Sequence, residues 1–173
     1  MISLNSMASE TQKNLIDFSQ IKNNDWKAVN DGVMGGLSSG SCSLKNNLII
    51  FSGTLSLKNN GGFASIRHEL KTNPMLEHKH IKLRVKGDGR SYQFRIHNNK
   101  KFDGVSFKYE FSTKLNEWVE ITLPIDKMLP TFRGRSMPDY GPAKATDIKQ
   151  ISFLLADKKP GSFQLEISSI SYY

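Results

Sequence analysis

Apolar and polar residues alternate with a period of two along most of this chain. In HIKLRVKGDGRSYQFRIHN (80–98), Ile81, Leu83 and Val85 share one parity, and Tyr92, Phe94 and Ile96 share one parity beyond Gly87, Asp88 and Gly89. Successive side chains of a strand point to opposite faces, so this alternation marks half-buried strands. The intervening Asp-Gly step predicts that the two runs pair as a hairpin. LKNNLIIFSGTLSL (44–57) predicts a second hairpin or corner around Asn46 and Asn47, because asparagine tolerates left-handed backbone. Asn59, Asn60, Gly61 and Gly62 form a turn signal before FASIRHEL, and GVSFKYEFST and EWVEITLPI alternate cleanly. IKQISFLLAD and GSFQLEISSISYY flank a turn at Lys158, Lys159, Pro160 and Gly161. Helical periodicity is nearly absent; only TDIKQ (146–150) suggests a helical turn, capped by Thr146 or Asp147.

About eight to ten strands at regular spacing predict an all-β fold, a two-sheet antiparallel jelly-roll sandwich. Residues 14–173 read as a single domain, with 1–13 as a flexible N-terminal tail. A chain of 173 residues with 38% hydrophobic residues can bury a sizeable core. No apolar run approaches the roughly 18–20 residues of a membrane-spanning helix. The net charge of +8 permits weak attraction to anionic partners. The basic residues are nevertheless scattered singly among apolar neighbours, as at Lys82, Arg84 and Lys86, so a solvated surface is expected and no specific nucleic-acid partner. One cysteine, Cys42, no glycosylation sequon and no secretory or mitochondrial leader pattern lead to a cytoplasmic expectation.

The stretch NDGVMGG (30–36) is the strongest local candidate for chemistry. A phosphate-cradling loop needs a helix after its glycines, and Gly35 and Gly36 lead instead into a serine-rich run and a strand. Gly36, Ser38 and Gly40 match the nucleophile-elbow spacing, but an elbow lifts its serine on a strand-to-helix turn that an all-β chain does not offer. His78 and His80 share a strand face without an evident third metal ligand, Glu77 and Cys42 being only guesses. Glu110, Glu117, Glu120 and Asp126 form no acid–base pair. The chain therefore reads as a non-enzyme with no metal and no cofactor. NDGVMGG becomes a structural corner in which Asp31 and Gly32 turn the chain and Val33 and Met34 tuck inward. Gly35 and Gly36 let the backbone pass a neighbour, expected to be Gly62 and Phe63.

Binding chemistry is sought on the polar sheet faces and the long loop. If Tyr92, Phe94 and Ile96 face the core, Gln93, Arg95 and His97 face outward, and by the same parity Phe63, Ser65 and Arg67 lie opposite Ala64, Ile66 and His68. Arg67 and Arg95 are candidates for a ligand surface, with pairing to nearby carboxylates as the plainer alternative. PTFRGRSMPDYGP (130–142) is too long for a tight turn and carries Arg133, Gly134, Arg135 and Tyr140, so it is read as a binding loop or as protection of a sheet edge.

The pieces Trp26 with VNDGVMGGLSSG, FSGTLSL with NNGGFASIR, GDGRSYQFRI, EWVEITLP, PTFRGR and ISFLLADKKPGSFQLEISSI occur in an order and spacing covering roughly residues 15–172. In these the chain resembles the complex I intermediate-associated protein family, the thirty-kilodalton NADH:ubiquinone oxidoreductase assembly factors, as a stand-alone member of bacterial type. The resemblance implies a galactose-binding-like jelly roll and a chaperone-like assembly role for a respiratory or other membrane complex, through protein contacts and without catalysis. It carries over no catalytic residue. The positions it shares are Trp26, Asp31, Met34, Phe63, Arg67, Tyr92, Arg95, Arg133 and Arg135, with glycines Gly32, Gly35, Gly36, Gly62 and Gly134; all of these except Phe63 and the glycines are taken, with Tyr140, as binding candidates, and the glycines, with the adjoining Gly61, as structural. The alternative reading is a carbohydrate-binding module using one sheet face or end loops.

Overall fold

The computed structural model describes residues 11–101 and 103–173, which form two packed antiparallel sheets. The first sheet contains β3 (Ser39–Lys45), β4 (Leu48–Leu55), β13 (Gly161–Tyr172), β6 (His80–Lys86) and β9 (Trp118–Pro124), in that order, with β1 (Lys13–Asn14) also on β13. The second runs β11 (Arg135–Ser136), β10 (Leu129–Phe132), β8 (Ser106–Ser112), β7 (Ser91–His97), β12 (Gln150–Leu155), β5 (Ala64–Glu69) and β2 (Trp26–Ala28). This is the two-sheet antiparallel jelly roll expected from the alternation, in the galactose-binding-like form that the family resemblance implies. The inward parities, among them Phe51, Leu83, Phe94, Phe153 and Leu165, interlock in one core. The strands exceed the expected eight to ten because β1, β2, β10 and β11 are too short to show alternation.

The β3–β4 hairpin closes on Asn46 and Asn47 with φ of 52° and 58°, the primed turn that matches strand twist. The expected hairpin over 80–98 is not one. Its first run is β6 in the first sheet and its second is β7 in the second sheet, so Gly87, Asp88 and Gly89 make a corner between sheets. The Asp88 carboxylate holds that corner by accepting the Tyr92 hydroxyl (3.0 Å) and the Gln164 amide (2.8 Å). In β13 the inward residues Phe163, Leu165 and Ile167 are followed by Ile170 and Tyr172. The parity switches at a register shift between Ile167 and Ser169, a bulge that keeps both halves apolar side in.

Residues 1–10 of the expected tail lie outside the described residues, and β1 begins within the tail's last positions, Lys13 pairing with Tyr172. β1 occupies the side of β13 that β4 has left after Ile167. The helical turn expected at 146–150 is a 3-10 turn at Ala145–Asp147 with no side-chain cap bond. PTFRGRSMPDYGP is not one long loop. Thr131 pairs with Ser136 and Phe132 with Arg135, and Arg133 (φ 48°) and Gly134 (φ 78°) turn the tight hairpin between them. This hairpin is the outermost part of the second sheet. Among the described residues no helix is long and apolar enough to cross a membrane.

Candidate functional site

Two surfaces bring the singled-out residues together. The first is NDGVMGG, whose residues Asp31–Met34 form a 3-10 turn. Asp31 at its start is fully buried. Its carboxylate accepts the Ser38 hydroxyl (2.5 Å) and the amides of Ser38 (2.9 Å), Gly62 (2.6 Å) and Phe63 (3.2 Å). Burial pushes its pKa up, but these four donors outweigh burial and hold it below the ordinary carboxylate value. The two glycine pairs are thus folded over one carboxylate. A Cβ at Gly36 would stand 2.4 Å from the Asp31 carboxyl carbon, and one at Gly61 2.6 Å from its Oδ2. The expected juxtaposition with Gly62 and Phe63 is observed. Ser38, a formal nucleophile in sequence, is a ligand of this carboxylate and also accepts the Ser56 amide (3.0 Å).

Val33 and Met34 do not tuck inward, because the Asp31 carboxylate already fills the inward position of that turn. Both are 63% exposed, and with Leu37 (58%) and Leu57 (44%) they put four large apolar side chains on the two loops that Asp31 joins. Asn59 Nδ2 on the Gly35 carbonyl (3.3 Å) and the Ser38–Ser56 bonds lock those loops together. The apolar side chains therefore sit on fixed backbone.

The second surface is the outer face of the second sheet. The ladders align Lys27, Arg67, Ser152, Arg95 and Lys108 in one row across β2, β5, β12, β7 and β8. The next row reads Glu69, Gln150, His97, Ser106 and Thr131. Gln93, His97, Ser106, Thr131, Gln150 and Ser152 are all buried polar residues on this face. Arg95 donates to Gln93 Oε1 from Nε (3.0 Å) and Nη2 (2.6 Å), and weakly to Ser106 Oγ (3.4 Å). The expected carboxylate partner is not among its contacts with the described residues. Burial, with Arg67 nearby, lowers the Arg95 pKa to about 10. His97 shares a hydrogen bond with Ser152 Oγ (2.9 Å). Burial first, then Arg67 and Arg95, push it down to about 3, so its ring is neutral. Arg67 donates to the Lys101 carbonyl and lines an open depression of about 440 Å³ with Lys27, Glu69, Lys100 and Gln150. Parity gave Gln93 and His97 this outward face; Lys27 and Lys108 join the row only through strand pairing, which alternation does not encode.

The remaining candidates are dispersed. Trp26 is in the core, stacked on His68 (5.1 Å), and Tyr92 is fully buried with its hydroxyl on Asp88. Arg133 pairs with Asp103, Arg135 is exposed on β11, and Tyr140 packs on Phe107 at 5.9 Å beside a depression of about 240 Å³. Gly32 is open to solvent. His78 meets Tyr172 edge-on and His80 stacks on Tyr173; no His, Cys, Asp and Glu cluster among the described residues is arranged to hold a metal.

Residues 16–167 match the sequence model of complex I intermediate-associated protein 30. The chain belongs to that family. A relative named probable complex I intermediate-associated protein 30, mitochondrial, from Caenorhabditis elegans is 29% identical over 155 residues, covering 77% of this chain and 46% of that one. The Mus musculus protein of that name is 33% identical over 95 residues, 53% of this chain and 29% of that one. The chain thus spans less than half the length of these relatives. Among solved structures, the family 11 carbohydrate-binding module of a cellulosomal cellulase from Clostridium thermocellum superposes with a TM-score of 0.70 at 19% identity, covering 94% of both chains. The same module bound to a mixed-linked tetrasaccharide gives 0.67 over 93% of this chain and 94% of that one, at 19% identity. A family 29 carbohydrate-binding module gives 0.55 at 13% identity over 94% of this chain and 90% of that one. At these identities the likeness establishes the fold.

Proposed function

We propose that this chain is a non-enzymatic protein-binding module that assists assembly of a membrane-bound respiratory complex, the NADH:ubiquinone oxidoreductase of its host, from the cytoplasmic side. The observation that carries this reading is the apolar quartet Val33, Met34, Leu37 and Leu57, exposed on loops fixed by the buried Asp31. Large apolar side chains exposed together on fixed loops suit contact with a partner, and a rigid frame reduces the ordering cost of binding. Membership of the complex I intermediate-associated protein 30 family supports the choice of partner. The test is genetic and biochemical. Loss of the gene is expected to lower the amount of assembled NADH:ubiquinone oxidoreductase on native gels. The wild-type chain restores it, and a Met34→Asp, Leu37→Asp double variant with unchanged melting temperature does not. Normal assembly without the gene overturns the reading.

The structural relatives suggest a second reading, a carbohydrate-binding module using one sheet face or the end loops. Against a site on the outer face of the second sheet, the two rows across Arg67, Arg95 and His97 hold no Trp, Tyr or Phe ring on which a neutral sugar would stack. Titration with mixed-linked glucan oligosaccharides tests it; a saturable signal would support it.

A further inference from the structure

Several basic residues of the two sheets and their loops are paired with carboxylates or stacked on a ring. On the outer face of the first sheet, Lys82 pairs with Glu120 (2.6 Å) and Lys86 with Glu166 (3.0 Å), while the Arg84 guanidinium lies over the Trp118 ring (4.5 Å). At the corners and loops, Arg90 pairs with Asp157, Lys100 with Glu69 and Arg133 with Asp103. Arg95 differs. It is recessed among buried polar residues, and its bonds within the described residues go to neutral oxygens of Gln93 and Ser106. A guanidinium partly withdrawn from water with no anion beside it among the described residues is costly, and folds retain such groups where a ligand supplies the charge.

The register gives this arginine a companion. Ser152 of β12 stands between Arg67 on one side and Arg95 on the other. Strands lie about 4.8 Å apart, so the two arginine backbones are about 10 Å apart, a span their side chains bridge from both sides. Ser152 also bonds His97, whose neutral ring adds hydrogen-bonding capacity to the row without adding a third positive charge. The depression lined by Lys27, Arg67, Lys100 and Gln150 opens onto the row from one end.

We propose that the outer face of the second sheet binds an oxyanion, a carboxylate or phosphate group of a small polar ligand, between Arg67 and Arg95. The planar fork of arginine matches two oxygens of either group, and the Ser152 hydroxyl between them donates to one of these or, in a phosphate, to a third. The site is separate from the apolar quartet, so it stands or falls independently of the assembly role.

Calorimetric titration of the full chain at low ionic strength tests this, with inorganic phosphate, glucuronate and neutral glucose as separate probes. Saturable binding of phosphate or glucuronate, with glucose silent, is expected, and the stronger of the two identifies the oxyanion. Arg95→Gln weakens it about tenfold or more, and Arg67→Gln does likewise. Arg95→Lys falls between, since it keeps charge and loses the fork. Melting temperatures establish that each variant is folded; should Arg95→Gln not fold, Arg67→Gln carries the test. Absence of saturable binding by both anions overturns the proposal, as does binding that the folded arginine variants leave unchanged.

Discussion

Asp31 remains ionised while fully buried because its surroundings are donors: two backbone amides from one loop, and an amide and a hydroxyl from its own. Replacing the carboxylate by a carboxamide turns one oxygen into an NH2 group facing N–H or O–H groups, so Asp31→Asn both loses bonds and adds a repulsion. The expected cost is about 3 kcal/mol, read from the urea midpoint at neutral pH. A midpoint equal to wild type would show that the loop does not depend on this charge. The acid response has a definite sign. Because folding lowers the pKa of Asp31, its stabilisation is complete above the unfolded value of 3.8 and disappears as pH falls through the lower folded value. NDGVMGG alone suggested glycines making room. It did not reveal that the room is taken by a carboxylate, since the donors come from Ser38, Gly62 and Phe63, the last two some thirty positions away.

At the scale of elements, the sandwich depends on corners where the chain leaves one sheet for the other. Arg90, at the β6–β7 corner, reaches the β12–β13 corner and binds Asp157 through Nε (2.9 Å) and Nη2 (2.6 Å). It also donates to the carbonyls of Gly161, Ser162 and Lys159. Both side chains are largely buried, so truncating one leaves the other uncompensated. Arg90→Ala is expected to cost about 3 kcal/mol. Lys114→Ala, which removes a pair with Glu117 exposed to solvent, is expected to leave the melting temperature nearly unchanged. Equal effects of the two substitutions would refute a special role for the corner. The same corner shows where sequence reading stops. Alternation in 80–98 identified both strands and their inward faces correctly, because parity is a local property. It could not say that β6 and β7 belong to different sheets, because the contacts that separate them, Asp88 to Gln164 and Arg90 to Asp157, are long-range. The proposed binding face was legible in the same partial way. Gln93, Arg95 and His97 could be placed outward, whereas the Arg67–Ser152–Arg95 row needed the β5–β12–β7 pairing.

Over the whole molecule, much of the positive charge is paired with carboxylates near the surface, whereas Arg95 is recessed among neutral polar groups on the second sheet. The recessed side makes stability depend on pH through a group that never becomes charged in the folded state near neutrality. His97 titrates at about 3 when folded, held down by burial and then by Arg67 and Arg95, against an ordinary value of 6.5. Between those values the unfolded chain binds the proton and the folded chain does not, so stability falls as pH drops below 6.5, before the carboxylates titrate. His68, lowered chiefly by burial against Trp26, acts in the same direction. One such group contributes about 2 kcal/mol of loss between pH 6.5 and 4.5. The wild-type melting temperature is therefore expected to decline across that interval, and His97→Gln, which can still hydrogen-bond Ser152, to decline less. The two curves should converge toward low pH, where the wild type has lost the advantage of a neutral imidazole. Parallel curves from pH 6.5 to 4.5 would remove His97 as the source and leave His68, testable by the same substitution at that position.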